Sequence, residues 1–228
     1  MSHQINITRI RAVYNALGDL RDDVVFVGGA TVSLYADQKT EEVRPTDDID
    51  VVVEIMTHRD FSLLDERLRN LGFQNDQASG IICRYIIDGL VVDIMPIHNE
   101  AIGFANKWYP QGFEKAEFYQ IDENLSVRIF APVHFLASKL EAFKSRGQND
   151  GRTSKDFEDI IFLLENRSLI WQEMESAEDN VKEYLKMELG VILKNPFVEE
   201  WVDSHAGYGV IPATAFLIDS MQKFVNEG

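Results

Sequence analysis

Thr46-Asp47-Asp48-Ile49-Asp50 places two carboxylates, Asp48 and Asp50, two residues apart at the head of an apolar run. In an extended strand such residues project from one face, so the two acids point together. Like charges held this close are costly unless a cation neutralises them or one keeps a proton, and hard oxygen ligands suit magnesium. A solvated acidic strand entrance is the other reading of an isolated Asp-x-Asp. Upstream, Gly28-Gly29 follows Val24 to Val27. Its bare backbone can either approach a triphosphate closely or simply make a turn. A third acid, Asp93, lies inside Leu90-Val91-Val92-Asp93-Ile94-Met95, where burial without a partner would be expensive.

Asp88-Gly89, between Ile81 to Ile87 and Leu90 to Ile94, is a two-residue hairpin signal. Counting outward from Ile87 opposite Leu90 puts Arg84 directly across from Asp93 on the same face. Arg84 then serves as a structural ion pair, as a cation beside bound phosphates, or as both. Two metals about 4 Å apart, bridged by carboxylates, activate an acceptor hydroxyl and stabilise charge on an α-phosphate while pyrophosphate leaves in line. Asp48, Asp50 and Asp93 are therefore the expected metal ligands, with Asp93 also the expected acceptor of the hydroxyl proton.

These residues need elements to hold them. Ile7, Ile10, Val13, Tyr14, Leu17 and Leu20 recur at helical spacing, predicting an opening amphipathic helix that ends near Gly18 to Asp22. Val24 to Val27 reads as a buried strand, Ala30 to Ala36 as a short helix and Ile49 to Ile55 as a second strand. Phe61, Leu64, Leu68 and Leu71 mark a helix stopped by Gly72. Ala116 to Ile121 and Leu125 to Phe130 read as strands, after which Pro132 opens a helix with Leu136, Leu140 and Phe143 inward. Ser154 is the expected N-cap of the next helix, whose inward stripe is Phe157, Ile160, Ile161 and Leu164. Helical patterns continue through Tyr184 to Leu193 and Ala213 to Val225. The expected fold class is α+β, a mixed-sheet domain over 1–130 followed by a helical domain over 131–228.

In the helical half Lys139 and Arg146 share one helix face, and Asp156 and Asp159 share a face of the next. Composition alone makes these surface salt-bridged helices.

The net charge of −16 excludes a surface basic enough to grip nucleic acid everywhere. Any polyanion must meet a local patch, and the richest is Lys139, Lys144, Arg146, Arg152 and Lys155, a stretch whose acids are Glu141 and Asp150. Glu165 to Asp203, with ten acidic against four basic residues, reads as a solvated or protein-facing surface. No apolar run approaches the roughly 20 residues that cross a bilayer. The opening residues lack the features of a secretory signal, so the expected compartment is the cytoplasm. Cys83 cannot pair within the chain and reads as a buried small hydrophobe. His3, His58, His98, His134 and His205 lack paired ligand spacing, which disfavours a zinc hydrolase. Trp108-Tyr109-Pro110 reads as a surface loop or a local packing anchor.

Taken in order, Gly28-Gly29, Thr46-Asp47-Asp48-Ile49-Asp50, Val92-Asp93-Ile94, Lys139-Leu140-Glu141-Ala142 and Arg152-Thr153-Ser154-Lys155-Asp156-Phe157-Glu158-Asp159 resemble the AbiEii and MenT-like nucleotidyltransferases. These belong to the DNA polymerase β superfamily, and the similarity spans about Phe26 to Leu164. The resemblance implies a polymerase β-like nucleotidyltransferase domain, a helical domain, and a cleft between them for nucleotide and acceptor. It implies two magnesium ions, a nucleoside triphosphate substrate, Asp48 and Asp50 as paired metal carboxylates, and Lys139 as the triphosphate-contacting lysine. Asp156 and Asp159 match the acids of the helical-domain motif. Gly28, Gly29, Thr46, Arg84, Arg146, Arg152 and Lys155 are the further candidates for nucleotide contact. Family members are often toxins paired with an antitoxin, and some extend the acceptor end of transfer RNA. Gly28-Gly29 stands where the wider superfamily has glycine-serine, which leaves a backbone cradle without the serine hydroxyl.

Two other readings stay in view. One is a nucleotidyltransferase acting on a small molecule, such as a cationic antibiotic, or on a protein. The other is a catalytically silent nucleotide-binding relative.

Overall fold

In the computed structural model the described residues are 2–37, 43–55, 57–98, 106–147, 150–207 and 213–226. They form two compact units, residues 2–34 with 43–131, and residues 35–37 with 132–226.

The first unit is built on a seven-stranded mixed sheet of order β3-β4-β5-β2-β1-β7-β6. The strands are β1 (Val24–Val27), β2 (Asp48–Val53), β3 (Gln74–Asn75), β4 (Arg84–Ile87), β5 (Leu90–Pro96), β6 (Glu117–Asp122) and β7 (Leu125–Ile129). β1 pairs antiparallel with β2, while β2 pairs parallel with β5 and β1 parallel with β7. The central strands are continuous apolar runs because both faces are covered: every residue of β1 is buried, as are Val51 to Val53, Val92 and Ile94. Helix α1 (Ser2–Ala16) buries Ile10 and Val13 in this core, and Leu17 follows them before a 3-10 turn over Gly18–Asp23 delivers the chain into β1.

α2 (His58–Asn70) is fixed at its start by a capping box between Thr57 and Asp60, and Gly72, at φ 96°, ends it. Where a short helix is expected over Ala30 to Ala36, a 3-10 helix runs over Gly29–Leu34. Residues 81–83, expected in a strand, form a turn, and pairing begins only at Arg84. Of the two readings of Trp108-Tyr109-Pro110, the structure shows the packing anchor: Trp108 is buried at the entry to α3 (Tyr109–Glu114), and Tyr109 lies edge-on to Phe130 at 5.9 Å.

The second unit is helical: α4 (Pro132–Arg146), α5 (Lys155–Asn166), α6 (Ile170–Glu175), α7 (Asp179–Leu193), α8 (Val198–Asp203) and α9 (Ala213–Asn226). Its core joins Phe143, Phe157 and Trp201, whose ring centroids lie 5.1 to 6.0 Å apart. Gly151 passes under the Trp201 ring, where an added Cβ would come within 2.7 Å of it, so a side chain there would displace the indole. No helix among the described residues is long and apolar enough to cross a membrane.

Candidate functional site

The Asp88-Gly89 turn adopts φ 50° and 77°, the left-handed pair of a type I′ hairpin, and it fixes the β4–β5 register as Ile87↔Leu90 and Arg84↔Asp93. On the other side of β5 the parallel pairing with β2 sets Asp50 opposite Asp93. A row Asp50, Asp93, Arg84 therefore crosses three adjacent strands on one face of the sheet, with Asp48 two residues along β2 on that face. Arg84 grips Asp93 with both arms, Nε to Oδ1 at 2.8 Å and Nη2 to Oδ2 at 2.7 Å, and the same Nη2 reaches Asp48 Oδ2 at 3.5 Å. The side chains of Arg84 and Asp93 are 23% and 12% exposed, so the pair is partly desolvated but reachable. The Asp93 bond, above all, raises the guanidinium beyond its ordinary range and keeps it charged at every working pH.

The glycine turn abuts these acids. Gly28 sits at φ 72°, and a Cβ there would fall on the Asp50 carboxylate, 2.7 Å from its Cγ. The Gly28 carbonyl accepts from the Thr31 amide at 3.2 Å and the Thr31 hydroxyl at 3.0 Å, which closes the turn after the glycine pair. Gly29 is covered by Arg44 and Thr46: an added Cβ would lie 3.1 Å from Arg44 Cζ and 2.9 Å from Thr46 Cγ2. Both glycines are thus required for close approach, and Gly28, at positive φ, for turning as well.

Residues that no motif pointed to complete the surroundings. Asn6, fully buried on α1, accepts from the Thr46 amide and hydroxyl at 3.4 Å each. One turn away, His3 hydrogen-bonds Ser33 at 2.9 Å. The first helix therefore braces both the Thr46 loop and the segment after the glycines. Helical periodicity signalled α1 but not its polar contacts. Arg44 could have been noticed as a cation two residues before Thr46.

Among the described residues no group of three or more His, Cys, Asp or Glu side chains stands ready to hold a metal ion. The donors Asp48, Asp50 and Asp93 are all carboxylates and suit a hard divalent cation. They fit such an ion chemically, but Asp93 is turned onto Arg84. Cys83, next to Arg84, is not a competing nucleophile, since burial first and Asp93 second push its thiol up to about 11.

In the helical unit Lys139 Nζ lies 2.6 Å from Asp159 Oδ2 and 3.4 Å from Asp156 Oδ1. Arg146 forks onto Asp156 at 2.7 and 2.9 Å. These helices are not surface-paired as composition alone suggests: Lys139, Asp156 and Asp159 are 6%, 4% and 1% exposed. Burial by itself would raise the Asp156 carboxyl, but Arg146 and Lys139 outweigh it and hold it below the usual range. The expected basic patch is also largely neutralised, because the fold brings up acids from distant sequence. Lys144 pairs with Glu188 at 2.6 Å, and Arg152 with Asp150 at 2.9 Å and Glu200 at 3.3 Å. Of the five cations, Lys155 alone forms no ion pair among the described residues.

The arrangement in the sheet unit can gather cations between carboxylates beside a backbone cradle, the chemistry of phosphate-ester exchange. The family model described as "Nucleotidyl transferase AbiEii toxin, Type IV TA system" matches residues 11–205. None of the curated proteins compared with the chain matches it.

Proposed function

Because the chain belongs to the AbiEii nucleotidyl transferase toxin family of type IV toxin–antitoxin systems, we propose that it moves a nucleoside monophosphate from a nucleoside triphosphate onto an acceptor hydroxyl in the cytoplasm. The observation that carries this reading is the row of Asp50, Asp93 and Arg84 across adjacent strands, with Asp48 alongside and Gly28 pressed against Asp50. Asp48, Asp50 and Asp93 would hold two magnesium ions. When bound, such ions lower the barrier by activating the acceptor and offsetting charge on the α-phosphate.

The chain's own residues supply position and field. The Gly28-Gly29 backbone cradles the triphosphate, with Thr46 and Arg44 beside it. The acceptor oxygen bonds to the α-phosphorus, the bond from that phosphorus to the bridging oxygen breaks, and pyrophosphate departs with the electron pair. Asp93 takes the hydroxyl proton. The family resemblance implies Lys139 as the triphosphate-contacting lysine, with Arg146, Arg152 and Lys155 as further candidates for nucleotide contact. The acceptor end of transfer RNA is the acceptor implied by the family resemblance, and a cognate antitoxin would be the protein partner.

A cationic small molecule is the second reading, favoured by the net charge of −16 and by the pairing of the patch cations. The test is magnesium-dependent transfer from each radiolabelled nucleoside triphosphate into total cellular RNA and protein, alongside an Asp48→Asn, Asp50→Asn variant. Label in RNA that the variant loses is the expected result. Nucleotide binding with no label and no pyrophosphate release on any acceptor, small molecules included, would show a silent relative.

A further inference from the structure

Three carboxylates on one face of a sheet repel one another, and water screens that repulsion poorly where Asp93 is nearly enclosed. The chain carries its own compensation. Arg84 makes a bidentate, charge-assisted contact with Asp93 and touches Asp48 with the same nitrogen that completes the fork. Both oxygens of Asp93 are therefore occupied by the guanidinium. A divalent cation drawing on Asp93 needs oxygens that Arg84 already contacts, Asp48 Oδ2 lies 3.5 Å from the same guanidinium, and a guanidinium beside a dication is repelled by it.

We propose that Arg84 is a built-in counterion that competes with the divalent cation for Asp93 and Asp48, so that metal loading requires the guanidinium to leave Asp93. Two positions then exist for one side chain. On Asp93, it holds the acids together and keeps the strand row compensated. Released, it is a mobile cation at the edge of the acids, available to a polyphosphate oxygen. The exchange is feasible because the acids are never left without positive charge and because the pair is partly open to solvent. Toward the metal Arg84 acts through Asp93, as a positioning residue, and only the released guanidinium would touch nucleotide. This inference rests on the carboxylates being the metal site of the proposed function.

The two states make opposite demands on Arg84. Bare metal ion competes with it, so removing the guanidinium tightens metal binding. Nucleotide binding gains from the released guanidinium, so the same change weakens it. A purely structural ion pair would loosen both.

The experiment is titration of the full chain with manganese ion alone, following free manganese by electron paramagnetic resonance, for wild type, Arg84→Gln and Arg84→Lys. The expected result is a roughly tenfold tighter manganese Kd in Arg84→Gln. Arg84→Lys, which keeps the charge but not the fork, should fall between it and wild type. A thermal melt first establishes that each variant folds, and if Arg84→Gln does not, Arg84→Lys against wild type carries the test. Unchanged or weaker manganese binding in the folded variant overturns the proposal. Asp48→Asn, Asp50→Asn separates the two failures: if it binds manganese as wild type does, the metal site itself is wrong. If manganese binding is lost there yet does not tighten on changing Arg84, only the competition is wrong.

Discussion

Gly28 and Gly89 both sit at positive φ, 72° and 77°, but only Gly28 has something in its way. Alanine at either position incurs left-handed strain of about 1–2 kcal/mol. At Gly89 nothing lies within 4 Å of the added Cβ, so Gly89→Ala should lower the melting temperature and leave turnover intact. At Gly28 the methyl group must displace the Asp50 carboxylate, and Gly28→Ala should additionally lose roughly 10²-fold in pyrophosphate release. Equal activity in the two variants would remove Gly28 from the cradle. A second residue-scale outcome concerns Lys139, enclosed by Asp156 and Asp159. Asp159→Asn leaves a buried ammonium short of a charge partner and should cost about 3 kcal/mol in thermal or denaturant unfolding. A loss below about 1 kcal/mol would mean the pair behaves as a surface one.

At the scale of elements, α5 presents Asp156 and Asp159 because Ser154 caps it, accepting from the Phe157 amide. Ser154→Ala should cost about 1 kcal/mol and speed hydrogen exchange at Phe157 in the first turn. Unaltered exchange there would show that packing of Phe157 against Phe143 and Trp201 alone holds the turn. The β4–β5 hairpin was legible to the residue, since Asp-Gly dictates a two-residue turn and the turn dictates register. The length of β4 was not. Ile81 and Ile82 are apolar but exposed, and the chain turns there, which composition cannot distinguish from a strand. The short helices α6 and α8 carry too few residues for a periodic signal.

Taken whole, the molecule carries −16 net charge, yet its acids do different things in different places. Asp156 is held below the usual carboxylate range in the folded state, so its stabilisation is present above the unfolded value of about 3.9 and is lost as pH falls further. Melting temperature should therefore drop on acidification below about pH 4, and Arg146→Gln, which removes the fork, should flatten that drop. An identical pH profile in the variant would assign the acid sensitivity elsewhere. For nucleic acid, the paired cations set a modest expectation. If transfer RNA engages through the Lys139 to Lys155 patch, log affinity should fall against log salt with a slope of about −1, against roughly −4 for five free cations.

The sequence by itself determined the residues of the candidate site and their local placement. Asp48 and Asp50 share a face because a strand has period two, Arg84 meets Asp93 because Asp-Gly fixes a hairpin, and Ser154 begins a helix because its hydroxyl satisfies a free amide. Each of these follows from interactions within a few residues. Tertiary structure alone decided which polar groups meet across long separations: Glu188 on Lys144, Glu200 on Arg152, Asn6 on Thr46, and β2 aligned so that Asp50 faces Asp93. Those contacts depend on how whole elements pack, and burial then turned an expected surface ion pair into the enclosed Lys139–Asp159 contact, which no local pattern of charge encodes.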